Sequence, residues 1–252
     1  MLQWPAEAIW EAVAPLLPGF TVEVLGEIDS TNTELMRRAR AGRLEPVLLV
    51  AEAQTAGRGR LGRRWDGGAR VGDVLTFSLG WPLPQADWSA LSLAIGVSLA
   101  NSLHPAIRLK WPNDLWWQDR KLAGILIETM QWAELRYAVI GVGINIRAPV
   151  GGPWATAPAW LQELLPALDA PAALARVAPA LVRDLQRFAV EGWAAFAPAF
   201  AARDALRGRA VRLSDGIEGV AAGVDGRGAL LVHTAQGLRA IDSAEVSVRP
   251  GS

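Results

Sequence analysis

The chain has 252 residues, of which 51% are hydrophobic and 20% are charged, and its 25 basic residues balance its 25 acidic ones. This is the composition of a globular protein, and the complete lack of cysteine excludes disulfides, a thiol nucleophile and a cysteine zinc site. Neutral charge argues against a dedicated nucleic-acid binder, and with no signal peptide or bilayer-length apolar run we expect a cytoplasmic protein that binds neither nucleic acid nor membrane.

The first part of the chain alternates helical patterns with strands that follow one another through tight turns. Thr31-Asn32-Thr33-Glu34 is a capping box with Thr31 as N-cap, and it predicts a helix that ends near Arg40. Strands adjacent in sequence, with helices placed irregularly between them, predict an α+β fold with a mixed sheet. The remaining predicted elements are a helix at 5–16, strands at 21–28, 46–54 and 74–81, a helix at 87–103, a hairpin of 115–117 with 122–130, and a strand at 136–146.

The last part of the chain has a different composition and a different hydrophobic pattern. Residues 147–170 are predicted to be a loop, and helices are predicted at 171–190 and 193–206. From Arg209 onward, short alternating runs are separated by X-Gly turns about ten residues apart, which indicates a small antiparallel barrel or sandwich. We therefore predict two domains, 1–207 and 208–252.

Segment 57–65 (GRGRLGRRW) lies in a stretch, 55–70, that we expect to form no regular structure. Glycine lets a backbone approach a ligand closely, and guanidinium groups provide fixed donors for phosphate or carboxylate. A loop that closes over an anion is one interpretation. A solvated surface loop and a segment that touches nucleic acid are the others. The segment is not a Walker A motif, because no Gly-Lys-Ser/Thr ends it.

Two lysines lie beside apolar strands, in the segments 110–114 (KWPND) and 120–124 (RKLAG). A lysine can neutralise a phosphate during group transfer, but a lysine at a strand end can equally reach solvent without a ligand. Asn113 and Asp114 are compatible with a simple Asx-turn. The two histidines, His104 and His233, lie in different predicted domains, and we expect no metal site in the protein.

Two further segments allow both a structural and a ligand-binding interpretation. Gly141 and Gly143 interrupt an apolar strand, which indicates either a β-bulge or the close approach of another group. Segment 30–32 (STN) offers hydroxyls, an amide and free N–H groups to a polar ligand, although capping alone would explain it.

Taken in this order and spacing, these segments closely resemble the biotin protein ligases. The motifs cover about residues 20–147, and the C-terminal part matches the family's SH3-like end domain by pattern only. Only 29 residues precede Ser30, so the resemblance is to the form without an N-terminal DNA-binding domain. The matching stretches are 30–32 (STN), 52–54 (EAQ), 57–60 (GRGR), 62–65 (GRRW), 110–114 (KWPND), 120–124 (RKLAG) and 141–145 (GVGIN).

The resemblance implies a mixed-sheet catalytic domain followed by an SH3-like β-barrel, and a reaction in two steps. Biotin and ATP form biotinyl-5′-AMP, and a lysine of a biotin carboxyl carrier domain then accepts the biotinyl group. Magnesium is expected to accompany ATP, and a homodimer is compatible with the family. Asp114 is the nearest candidate carboxylate for the metal or for deprotonating the acceptor.

The resemblance also assigns residues, by position. The implied catalytic residues are Lys121, Arg58 and Lys110. Those implied in biotin binding are Ser30, Thr31, Asn32, Gln54, Arg58, Gly59, Arg60, Lys121, Gly141 and Gly143. Those implied in ATP binding are Arg58, Arg60, Arg63, Trp65, Lys110, Asn113, Lys121 and Asn145.

Three other functions fit parts of the pattern. A lipoate ligase or a lipoyl or octanoyl transferase shares the architecture, although the transferases rely on a cysteine. A non-catalytic biotin- or nucleotide-binding module would not require both lysines beside the arginine loop. A nucleic-acid-binding barrel protein is disfavoured by the neutral charge.

Overall fold

A computed structural model describes residues 2–65, 68–82, 87–132, 135–152, 154, 156–242 and 248–250. Within these ranges the helices are α1 (Ala6–Val13), α2 (Thr31–Arg40), α3 (Leu91–Leu103), α4 (Ala170–Glu191) and α5 (Ala197–Arg203). The strands are β1 (Thr21–Ile28), β2 (Val47–Gln54), β3 (Val74–Pro82), β4 (Arg108–Lys110), β5 (Asp114–Trp117), β6 (Arg120–Trp132), β7 (Leu135–Asn145), β8 (Ala210–Leu213), β9 (Glu218–Val224), β10 (Leu230–Thr234), β11 (Gly237–Ile241) and β12 (Val248–Pro250).

The first seven strands form one sheet in the order β1-β2-β3-β7-β6-β5-β4. Strands β1 and β2 are parallel, and every other described pair in this sheet is antiparallel. The predicted α+β fold with a mixed sheet is therefore confirmed. Helices α1, α3 and α4 pack on one face of this sheet, and α2 packs on the other.

Strand β2 shows why both faces must be covered. Leu48 and Val50 join the larger core under α1, α3 and α4, whereas Val47 and Leu49 pack against α2. Successive side chains of a strand point to opposite faces, so a continuous apolar run needs apolar partners on both sides. Each such buried side chain stabilises the fold by about 1.5–3 kcal/mol.

Helix α2 begins one residue earlier than the capping box predicted. Ser30, and not Thr31, is the N-cap, and its Oγ accepts a hydrogen bond from the Thr33 backbone N–H at 3.4 Å. Glu34 does not reach back to the cap. It pairs with Arg37 and with Arg38, and the Arg38 guanidinium is the main cause that lowers the pKa of the Glu34 carboxyl.

Strands β8 to β12 form a second, antiparallel sheet in the order β11-β10-β9-β8-β12. Two indole groups from the first part of the chain donate hydrogen bonds to the β9–β10 turn of this second sheet. Nε1 of Trp111 donates to the carbonyl of Gly228 at 3.0 Å, and Nε1 of Trp193 donates to that of Asp225 at 3.3 Å. The closure of this sheet into a barrel and the division at residue 207 remain predictions.

The other elements lie close to their predicted positions, with three corrections. The loop predicted at 147–170 contains a 3₁₀ turn at Leu161–Glu163. The helix predicted at 193–206 is wrong, because a 3₁₀ turn at Trp193–Ala195 precedes the short helix α5. The expectation of no regular structure at 55–70 is also wrong in part, because a 3₁₀ turn occupies Arg60–Gly62. Asp66 and Gly67 of that stretch lie outside the described residues.

Within the part of the chain that the structure describes, no helix is long and apolar enough to cross a membrane.

Candidate active site

A cleft with an empty volume of about 880 Å³ lies on the face of the large sheet that α2 covers. The arginine-rich segment 57–65 lies along one side of this cleft, and the β4–β5 turn lies along another. Nearly all the residues that the sequence predicted for a site therefore converge here. Those that line the cleft are Ser30, Thr31, Asn32, Gln54, Arg58, Gly59, Arg60, Arg63, Trp65, Lys110, Asn113, Lys121, Gly141 and Gly143.

The two glycines of β7 form part of the cleft floor. The strand keeps its register with both neighbours through Gly141 and Gly143, so the β-bulge interpretation is wrong. A Cβ atom on Gly141 would collide with the Asn32 side chain, and one on Gly143 would collide with the Trp65 indole. Glycine is required here because other side chains approach the strand closely.

A polar network joins the start of α2 to the end of β2 and the middle of β3. Oε1 of Gln54 accepts hydrogen bonds from the backbone N–H of Thr31 at 2.8 Å and from its Oγ1 at 3.1 Å. Oγ of Ser78 lies 2.7 Å from Thr31 Oγ1 and 2.6 Å from Asn32 Oδ1. These groups hold one another in place. The residues at the start of α2 therefore make tertiary hydrogen bonds in addition to capping the helix. The sequence analysis did not identify Ser78.

The arginine-rich segment folds back on itself as a hairpin. The backbone N–H of Gly59 donates to the carbonyl of Arg63 at 2.7 Å, and that of Trp65 donates to Gly57 at 2.9 Å. Leu61 lies at the exposed tip with a φ of 56°. The segment is therefore ordered by its own backbone hydrogen bonds, while the side chains of Arg58, Arg63 and Arg64 remain exposed, as in a solvated surface loop.

Arg58 and Arg60 extend from this hairpin toward different partners. Nη1 of Arg58 lies 3.1 Å from a carboxylate oxygen of Glu128, and Nη1 of Arg60 donates to Oδ1 of Asn113 at 3.5 Å. Burial lowers the pKa of the Arg60 guanidinium from its ordinary value, while the Asp114 carboxylate acts in the opposite direction. The half-exposed Arg58–Glu128 pair contributes about 0–1 kcal/mol, and the sequence analysis did not identify Glu128.

Both lysines point toward one carboxylate. Nζ of Lys121 lies 2.7 Å from Oδ1 of Asp114, and Nζ of Lys110 lies 3.9 Å from Oδ2. Lys110 is only 9% exposed, so it does not extend to solvent as a strand-end lysine would. The sequence does carry a signal for this pair. Positions 110 and 121 hold the two lysines of the chain, and all its other permanently cationic side chains are arginines.

A second cavity adjoins the first beyond Trp65, and Asn145 lies in its wall. Nδ2 of Asn145 donates to the carbonyls of Lys121 at 3.3 Å and Ala159 at 3.0 Å. The Trp65 indole lies at the boundary of the two cavities against Gly143, and its Nε1 has no hydrogen-bond partner among the described residues. A planar ligand in the second cavity would therefore meet an indole and the amide oxygen of Asn145.

Arg120, next to Lys121, stabilises this wall. Its guanidinium donates to both carboxylate oxygens of Glu163, at 3.0 and 2.6 Å, and lies over the rings of Trp117 and Trp160. The Lys121 backbone is held by the segment 157–159 through hydrogen bonds of 2.8 Å at both its N–H and its carbonyl. This rigid support fixes the start of β6 and with it the position of the Lys121 side chain.

The chemistry that such a site can support follows from its charges. Six cationic side chains line the cleft, and anionic reactants that repel each other in water can approach when fixed cations neutralise them. Among the described residues no group of three or more histidine, aspartate or glutamate side chains could hold a metal ion. The Asp114 carboxylate is also engaged by the lysines, so a divalent cation would depend on ligand oxygens and water. The six cations are Arg58, Arg60, Arg63, Arg64, Lys110 and Lys121.

Comparison with known proteins gives consistent matches. Residues 25–145 match the Biotin/lipoate A/B protein ligase family, and residues 207–249 match the Biotin protein ligase C terminal domain. The chain is 38% identical to the Bifunctional ligase/repressor BirA of Escherichia coli over 92% of this chain and 75% of that protein. It is 34% identical to the Biotin--[acetyl-CoA-carboxylase] ligase of Paracoccus denitrificans over 88% of this chain and 98% of that protein.

A solved structure has the same fold. The biotin protein ligase from Aquifex aeolicus, in complex with biotin and ATP, superposes with a TM-score of 0.79 and 28% sequence identity. The match covers 91% of this chain and 99% of that one. The similarity therefore extends over both sheets and is not confined to the motifs.

Proposed function

Because this chain belongs to the biotin protein ligase family, we propose that its cleft activates biotin with ATP and passes the biotinyl group to a lysine of a carboxyl carrier domain. The protein is a biotin protein ligase with biotin and ATP as substrates. The observation that carries this function is the cationic cleft, in which Lys121 and Lys110 converge on Asp114 beside the glycine floor.

In the first step an oxygen of the biotin carboxylate attacks the α-phosphorus of ATP. The bond from that phosphorus to the bridging oxygen breaks, and pyrophosphate leaves with its electron pair. Lys121 is proposed to lie between the two reacting anions, and Lys110 beside the phosphates. Arg58 and Arg60 are proposed to hold the carboxylate and the phosphate under the hairpin. Positioning and charge neutralisation supply the catalysis, so no protein nucleophile is needed.

Biotin is proposed to lie with its ureido ring toward the start of α2. The network of Ser30, Thr31 and Gln54 supplies donors and acceptors that match a ureido group. Gly141 and Gly143 leave room for the ring system against the sheet, and Asn32 closes that side.

The adenosine part is proposed to occupy the second cavity. There the Trp65 indole offers a planar apolar surface, and Asn145 offers its Oδ1 atom, since its Nδ2 serves two carbonyls. Arg63 lines both cavities, and Asn113 accepts a hydrogen bond from Arg60. Arg63 and Asn113 are therefore both proposed to lie beside the phosphates.

In the second step the neutral amine of the acceptor lysine attacks the carbonyl carbon of the mixed anhydride. An amide forms, AMP leaves, and the amine proton passes to solvent or to a carboxylate. Asp114 is the carboxylate nearest the cations, and in this proposal it mainly orients Lys121. Magnesium, which accompanies ATP, would be held by phosphate oxygens and water.

The test is incubation of the purified protein with biotin, ATP and a biotin carboxyl carrier domain, followed by streptavidin blotting. Labelling of the carrier that requires both substrates supports the proposal. Parallel reactions with lipoate or octanoate in place of biotin test the related acyl ligases. Acylation by these acids without any biotin transfer would contradict the proposed substrate. Sedimentation of the same preparation, with and without biotin, tests the homodimer.

A further inference from the structure

Glu128 lies on the face of β6 that forms the cleft, where the reaction requires positive charge. Its carboxylate contacts two residues with different proposed tasks. Oε2 accepts a hydrogen bond from Nδ2 of Asn32 at 3.0 Å, and Oε1 lies 3.1 Å from Nη1 of Arg58. Asn32 comes from the start of α2 and Arg58 from the arginine-rich hairpin. One side chain therefore connects the side of the cleft proposed for biotin to the arginine-rich hairpin on the other side.

The Asn32 amide is fixed from three directions. Besides Glu128, its Nδ2 donates to the carbonyl of Leu126 at 3.3 Å, and its Oδ1 lies 2.6 Å from Oγ of Ser78. This set of contacts determines which way the amide faces Gly141 on the cleft floor. Loss of the Glu128 acceptor would free one amide hydrogen and weaken that orientation.

Arg58 is held differently. Its side chain is 49% exposed and Glu128's is 21% exposed, so solvent weakens the ion pair. The hairpin also carries three more arginines, whose charges repel one another until a negative group is close. Glu128 supplies a negative charge on the sheet, and an incoming phosphate, which accepts two parallel hydrogen bonds from a guanidinium, can replace it.

We propose that Glu128 is a positioning residue that aligns Asn32 for biotin and holds the hairpin through its ion pair with Arg58. An anionic ligand then replaces Glu128 as the partner of the Arg58 guanidinium. This inference rests on the proposed function for the identity of the ligand. Its effect on the hairpin does not depend on that function, because it can be measured on the protein alone.

The experiment compares Glu128→Gln and Glu128→Ala with the wild type. Glutamine keeps an acceptor for Asn32 but removes the charge opposite Arg58, whereas alanine removes both. Glu23→Gln is the matched control, since it removes the charge of an ion pair with Arg38 that lies away from the cleft. Two quantities are measured: the rate of tryptic cleavage at the arginines of 58–64 without ligands, and the KM for biotin in adenylation.

We expect both Glu128 variants to be cut in the hairpin at least threefold faster than the wild type, relative to cleavage elsewhere in the chain. Biotin with ATP should restore protection in Glu128→Gln. The KM for biotin should rise at least fivefold in Glu128→Ala and stay within twofold in Glu128→Gln, and Glu23→Gln should match the wild type in both measurements.

Hairpin cleavage of Glu128→Gln at the wild-type rate would overturn the role in holding Arg58. An unchanged KM in Glu128→Ala would overturn the role in aligning Asn32. A wild-type protein that transfers no biotin would refute the proposed function instead, and the ligand-free cleavage rates would still decide whether Glu128 holds the hairpin.

Discussion

The ammonium group of Lys121 lies 2.7 Å from a carboxylate oxygen of Asp114, and this contact fixes the side chain at the centre of the cleft. Lys110 approaches the same carboxylate from the other side at 3.9 Å. A single acid thus orients two cations, and neither lysine has to be ordered by the substrate. Such preorganisation avoids reorganisation at the moment of reaction.

The first prediction concerns Lys121→Ala. We expect adenylation to fall on the order of a hundredfold or more, because one preorganised charge contact to a transition state is worth that much. Pyrophosphate release in the presence of biotin and ATP measures it. Arg187→Ala, on the exposed surface of α4, is the control and should retain activity. A rate for Lys121→Ala within tenfold of the wild type would contradict the role.

The second prediction concerns Arg60→Gly. Arg60 is half-buried and its guanidinium reaches Asn113 across the cleft, so its loss should open the hairpin side of the site. We expect biotinyl-5′-AMP to escape and to label lysines of a bystander protein such as albumin. Streptavidin blotting of the bystander measures the escape. No increase over the wild type would show that Arg60 does not retain the intermediate.

The third prediction concerns the floor of the cleft. Gly143→Ala would place a methyl group against the Trp65 indole and displace it, and we expect the KM for ATP to rise at least tenfold. Gly26→Ala is the matched control, because a Cβ there meets no atom within 4 Å. Steady-state kinetics with ATP varied at saturating biotin provides the measurement. Equal KM values for the two variants would exclude the indole from the nucleotide site.

The fourth prediction concerns Asp204, near the start of the second sheet. It is 3% exposed, and burial raises the pKa of its carboxyl above the ordinary value. Relative to the unfolded chain, the folded state therefore favours the protonated carboxyl, and this stabilisation is lost as the pH rises through the raised pKa. We expect Asp204→Asn to melt at a higher temperature than the wild type at neutral pH, with a difference that shrinks as the pH falls toward the ordinary carboxyl range.

Asp215→Asn is the control for this prediction. Both aspartates accept a hydrogen bond from the backbone N–H two residues later, Asp204 from Leu206 at 2.8 Å and Asp215 from Ile217 at 3.1 Å, but Asp215 is exposed. Melting curves across pH 4–8 should therefore show no comparable gain for Asp215→Asn. A lower melting temperature for Asp204→Asn at every pH would contradict the assignment.

Most of the residues that the sequence predicted for a site line one cleft, but the sequence did not predict the contacts among them. Glycines in an apolar strand pointed to a close approach, yet only the structure identifies Asn32 and Trp65 as the approaching groups. Periodicity cannot reveal such partners, because they are far apart along the chain. Glu128 was overlooked for the same reason: a single acid within a strand has no local pattern that indicates contact with an arginine 70 residues away.

Local chemistry also led to the wrong N-cap at the start of α2. Serine and threonine are both good N-caps, and the capping-box pattern with Glu34 favoured Thr31 over Ser30. The hydrogen bond of Thr31 with Gln54, on a strand distant in sequence, decides the N-cap, because it directs the threonine hydroxyl toward β2 and leaves Ser30 to cap the helix. Tertiary contacts thus resolved what propensity could not.

The convergence of both lysines on Asp114 has a practical consequence for labelling chemistry. Positions 110 and 121 carry the lysine side-chain amines of this chain. An acylating reagent such as an N-hydroxysuccinimide ester therefore finds its lysine targets inside the cleft, whereas in most proteins such reagents modify scattered surface sites. Each acylation removes a positive charge that the proposed first step uses, so on that proposal the mass added at these two positions should rise in proportion to the activity lost. The reagent would then count working active sites, and bound nucleotide should shield them.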